Sequence, residues 1–85
     1  MTNEKHLETA ILKLLAERGT DKTICPSEAA RAVAGSGERA AWEPLMEPAR
    51  QAAERLVAAG KIVVTQGGRV IDGENAKGPI RLRLR

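Results

Sequence analysis

Leu7, Ile11, Leu14 and Leu15 recur at i, i+4, i+7 and i+8, which is the spacing of one face of an α-helix. Glu4, Glu8, Lys13, Glu17 and Arg18 fall mainly on the other side. The pattern predicts an amphipathic helix from about Lys5 to Arg18, with Thr2 or Asn3 as N-cap and Gly19 just beyond its end. Thr23, Ile24 and Cys25 precede Pro26, and the residue before a proline is pushed out of the helical region, so this piece is expected to be extended. A second helix then begins with Pro26 at N1, Cys25 at the cap and Glu28 at N3. That is the spacing of a capping box, with a thiol where Ser or Thr usually stands. Ala29, Ala30 and Val33 give this helix a short apolar side, and Gly35 ends it.

The stretch from Ala34 to Glu47 is less regular. Gly35-Ser36-Gly37 reads as a loop and Glu38 to Trp42 as no more than one helical turn. Pro44 and Pro48 argue against a continuous helix from Trp42 onward. The third helix is placed near Glu47, with Pro48 at N1, running to Ala59 with Gly60 as its C-cap. Leu45, Ala49, Ala52, Leu56 and Ala59 share its apolar face. After Gly60 the period changes from 3.6 to 2. Lys61 to Gln66 is β-branched and strand-like, Gly67-Gly68 is a turn signal, and Asp72-Gly73 and Lys77-Gly78 mark loops. Ile80 to Arg85 alternates strictly, apolar residues to one face and arginines to the other.

Helix, short extended piece, helix, helix, strand, glycine-rich loop and strand is the element order of a winged helix. The expected fold is therefore α+β: a winged helix-turn-helix of three helices with a small antiparallel sheet. Thr23 to Cys25 would add a third edge to that sheet, and the loop from Gln66 to Pro79 would be the wing. The run Leu56-Val57-Ala58-Ala59-Gly60-Lys61-Ile62 resembles the junction between third helix and first wing strand in winged-helix proteins. Thr23-Ile24-Cys25-Pro26-Ser27-Glu28-Ala29-Ala30-Arg31 and Gly78-Pro79-Ile80-Arg81-Leu82-Arg83 resemble the two hallmark strings of a bacterial family of small winged-helix proteins. Leu45-Met46-Glu47-Pro48 with Arg50, between them, fits as well. That family is a domain of unknown function. The resemblance implies a fold but no activity, and it transfers no functional residue.

Composition narrows the picture. The 85 residues suit one small domain spanning 1–85. One Trp, no Phe and no Tyr leave the core to Leu, Ile, Val and Ala, and it must be thin. Trp42 is expected to pack against it. No apolar run approaches a membrane span, and the first residues carry no signal-peptide apolar stretch. With a single cysteine, the expectation is a cytoplasmic protein without a disulfide framework. Cys25 and His6 have no paired ligands, so no metal is expected. No cofactor is expected either: Gly67-Gly68 sits in a hairpin rather than between strand and helix, so it is not a phosphate loop. Ser27 has no nearby His, and catalysis is not expected. Cys25 is read as a cap or small buried hydrophobe, with a redox-sensing thiol as the alternative.

The charge distribution bears on function. Residues 1–60 hold eight Lys/Arg against nine Asp/Glu, whereas residues 61–85 hold six Lys/Arg against Asp72 and Glu74. The basic character thus lies in the last third, which favours an anionic partner such as double-stranded DNA. On that reading the third helix offers Arg50, Gln51, Glu54 and Arg55 outward. Arg50 would pair with guanine and Gln51 with adenine. Arg31 on the second helix and Arg69 and Lys77 in the wing would contact phosphates. Glu47 and Glu54 counter the arginines of that helix, and Arg50–Glu54 and Gln51–Arg55 could be ordinary i, i+4 surface pairs. Arg81, Arg83 and Arg85 form a basic stripe on the exposed sheet face, open to phosphate or to an acidic protein and read most simply as charges that protect an edge strand. The alternative function is a protein–protein interaction module on the same scaffold.

Overall fold

The Leu7, Ile11, Leu15 stripe is driven inward by its own periodicity, and all three side chains are fully buried. They lie on α1 (Asn3–Arg18) in the computed structural model, which describes residues 3–71 and 79–85. Asn3 falls within the helix, and Thr2, the other N-cap candidate, lies outside the described residues. Gly19, at φ +110°, turns the chain, and its N–H donates to the Leu15 carbonyl at 3.0 Å. The chain then passes through β1 (Thr23–Ile24) into α2 (Pro26–Ala34), whose buried residues are Pro26, Ala29 and Ala30. The expected cap is present. The Cys25 backbone is extended, and its N–H donates to Glu28 Oε2 at 2.7 Å. Gly35, at φ +69°, closes α2 with its N–H on the Arg31 carbonyl at 3.0 Å.

A single helical turn, α3 (Arg39–Trp42), and a 3-10 turn at Glu43–Leu45 lead into α4 (Met46–Ala58). α4 begins slightly earlier than the two prolines suggest. Pro48 lies in its first turn, where backbone N–H groups have no intrahelical partner, so the missing donor costs nothing. The helix ends in a pair of bonds, Gly60 N–H to Val57 carbonyl at 2.9 Å and Lys61 N–H to Leu56 carbonyl at 3.0 Å. Its buried face is Ala49, Ala52, Ala53 and Leu56, so Ala53 takes the place expected of Ala59, which is exposed. Three alanines on one face let α4 sit close against α1 and α2.

The sheet differs from expectation in two ways. Gly67 and Gly68, at φ +59° and +81°, make a two-residue turn that joins β2 (Ile62–Gln66) directly to β3 (Arg69–Ile71). The wing loop expected from Gln66 to Pro79 thus contains a strand at its start, and its residues 72–78 lie outside the described residues. The strand order is β1-β4-β2-β3, all antiparallel, with β4 spanning Arg81–Leu84. β4 is therefore an inner strand. Arg83 does not guard an exposed edge, because β4 is paired there with Thr23 of β1 on one side and Val63 of β2 on the other, although β1 does not extend to Arg85.

Ile24, Ile62, Val64 and Leu82 point from the sheet into the same buried cluster as the helix residues. Trp42 is half-buried and packs against this cluster from outside rather than filling it. The result is an α+β fold whose element order and helix-on-sheet layering are consistent with a winged-helix layout.

Candidate nucleic-acid interface

α4 is clamped by its alanine face and by Leu56, so its other face must be presented. Glu47, Arg50, Gln51, Glu54 and Arg55 are all exposed. They are not equivalent. Arg55 Nε donates to Glu8 Oε2 at 3.1 Å, and its Nη2 lies 3.4 Å from Glu4 Oε2. It is thus engaged by two carboxylates of α1 and is turned toward that helix. Among the described residues, the Arg50, Gln51 and Glu54 side chains form no hydrogen bond or ion pair, so the alternative i, i+4 pairs Arg50–Glu54 and Gln51–Arg55 are not formed. With Arg55 neutralised, the open part of α4 carries Arg50 against Glu47 and Glu54.

Arg50 also lines a cleft of about 170 Å³ together with Met46, Cys25, Ser27 and Ile80. The cleft lies where the first turns of α2 and α4 meet the start of β4. Ser27 reaches it from α2 and accepts a hydrogen bond from Arg31 Nη2 at 3.2 Å. Arg31 itself stands over the Trp42 ring, 5.3 Å from its centroid, a cation–π contact. The indole Nε1–H donates to the Gly37 carbonyl at 3.2 Å. Arg31 is therefore held on the α2–α3 side. Arg69 is exposed on the outer strand β3, opposite Gln66 in register. Lys77 lies outside the described residues.

A second polar cluster, at the base of α2, has no signature in the sequence. Arg81 Nε donates to Thr23 Oγ1 at 2.6 Å, Nη2 to the Thr23 carbonyl at 3.2 Å, and Nη1 to Cys25 Sγ at 3.0 Å. From the other side, Arg18 pairs with Glu28. Two arginines from distant segments thus brace β1 and the cap of α2. The strict alternation of β4 signals which face Arg81 takes. Its partner on β1 depends on strand pairing, which leaves no local trace. Among the described residues, no group of three His, Cys, Asp or Glu is placed to hold a metal ion. No helix among them is long and apolar enough to cross a membrane.

The architecture, then, is an α+β domain with a presented helix and a basic sheet. Residues 4–85 match the model of the family described as Protein of unknown function (DUF3253), and the chain belongs to that family. Comparison with curated proteins gave no match.

Proposed function

We propose that this chain binds double-stranded DNA, with α4 read into the major groove. The observation that carries the proposal is the state of Arg50 and Gln51: exposed, free of partners among the described residues, and mounted on a helix packed against α1 and α2. A planar guanidinium and an amide with no internal partner have their donors and acceptors available to base edges, Arg50 to guanine and Gln51 to adenine. Arg31 and Arg69 serve as phosphate contacts that fix orientation, with Lys77 assigned the same role from the sequence. Support from fold is by analogy, since one scaffold hosts many functions. The test is a titration of isotope-labelled protein with random duplex, following backbone amide shifts at low and at physiological salt. Shifts centred on α4 that weaken steeply with salt are the expected outcome. Silence at low salt sinks the proposal.

A second reading has its own support. The open part of α4 has two carboxylates and one arginine, a balance that repels phosphate and suits a protein partner instead. Under that reading the α4 amides stay unmoved by DNA, and R50A leaves DNA-dependent signals unchanged.

A further inference from the structure

We infer that the outer face of the sheet is a second contact surface, one that takes a nucleic-acid phosphate backbone without reading sequence. It rests on the DNA reading above and assigns the electrostatic part of that binding to a face other than α4. Register places the residues. Arg83 lies between Val63 of β2 and Thr23 of β1, and Arg81 lies opposite Thr65, on the side away from the buried Val64 and Leu82. One row further, the Arg85 N–H donates to the Lys61 carbonyl at 3.2 Å, which continues the same ladder. Lys61, Arg81 and Arg85 are exposed, and Arg83 is half-buried. Alternate residues on one strand face stand roughly 7 Å apart, so Arg81, Arg83 and Arg85 leave one face of the sheet in a row, with the Arg81 guanidinium turned onto Thr23 and Cys25 and Arg85 Nη1 reaching toward Gly60. A phosphodiester chain, negative along its length, suits a row of cations of this kind.

Three further observations favour this partner. Among the described residues, none of these four cations has an ion-pair partner. Edge protection does not account for Arg83, because β4 is paired there with β1 on one side and β2 on the other. The face also carries no aromatic residue, and Val70 is the one large hydrophobic exposed among the described residues. A protein partner would find few anchors to bury there, whereas a polyanion needs none. Arg81 is already oriented. Three of its five N–H donors are held by Thr23 and Cys25, which leaves two for a phosphate oxygen. Thr65, opposite it in register, is 4% exposed, so the open part of the face runs from Arg81 toward Lys61 and Arg85.

The test compares wild type with a K61Q/R83Q/R85Q variant that leaves the Arg81 brace intact, using a short random-sequence duplex across a salt series. The triple variant is expected to bind roughly tenfold more weakly, with the slope of log K against log salt reduced by about 0.9 for each phosphate it no longer neutralises. Its α4 amide shifts persist at low salt, and R83K/R85K, which keeps the charge, retains most of the slope. If circular dichroism shows the triple variant unfolded, K61Q/R85Q at the exposed positions decides the matter by the same slope. Wild-type binding with an unchanged slope in the variant overturns this inference and leaves the α4 proposal standing. No wild-type binding at low salt removes both. Polyglutamate bound as tightly as the duplex also overturns it, since the face would then be fitted to an acidic protein.

Discussion

Glu28 shows how much one side chain does in a chain this short. Its Oε2 accepts the Cys25 N–H at 2.7 Å while Oε1 pairs with Arg18, so one carboxylate satisfies a helix-start donor and ties α1 to α2. Its placement in the first turn also complements the helix dipole. E28A is expected to lower the unfolding free energy by about 1–2 kcal/mol, read from urea melts, and E28Q by less because the amide oxygen still accepts. Arg55 is the contrasting case. Its pairs with Glu4 and Glu8 lie at the surface, with the Arg55 side chain 43% exposed, so R55A should cost no more than about 1 kcal/mol. That cost should shrink in high salt, and R55A should leave any DNA base preference unaltered. The cap is legible in the sequence because all its members lie within four residues. The Arg55 pairing joins residues 47 positions apart, and nothing local in the sequence announces it.

Elements are legible where one strong local rule governs them. α1 follows from its apolar period, α2 from Pro26 and Glu28, and the end of α4 from Gly60. β3 escapes such a reading because Arg69-Val70-Ile71 is too short to show alternation, and two glycines before it suit a wide loop as well as a tight turn. Both glycines sit at positive φ, the geometry of a two-residue hairpin turn. A side chain on Gly67 would meet nothing within 4 Å, so substitution there tests backbone strain alone. G67N should be nearly neutral, whereas G67V should destabilise by about 1–2 kcal/mol, with the effect visible first as faster amide exchange in β2 and β3. In α4 the governing feature is size. Ala52 is fully buried, and A52L should cost about 1–3 kcal/mol by overpacking, measured by thermal denaturation.

At the scale of the molecule, the strand order carries the most information, and local sequence rules have no means of supplying it. Alternation in β4 shows which residues share a face, but it cannot show that β4 lies between β1 and β2. That placement takes Arg83 off the edge of the sheet and leaves it in the middle of a basic face. It also explains why Leu82, on an inner strand, is fully buried beside Val64 and Ile24. L82A or I11A should cost about 2–5 kcal/mol, measured by urea denaturation. Small domains have little stability in reserve, so either change should bring the chain close to global unfolding at ambient temperature.

Trp42 has a consequence of an optical kind. With no Tyr and no Phe, it is the sole fluorophore of the chain, and it sits at the rim under Arg31 with its indole N–H on Gly37. Its emission therefore reports the α2–α3 corner, where the ring packs on the outside of the core. Opening of that corner would redden the spectrum while the helical ellipticity is still intact, so melts followed by light and by backbone signal should part wherever the corner yields first. A polyanion laid on the arginine face of the sheet should leave the emission unchanged, whereas a duplex reaching Arg31 should alter it.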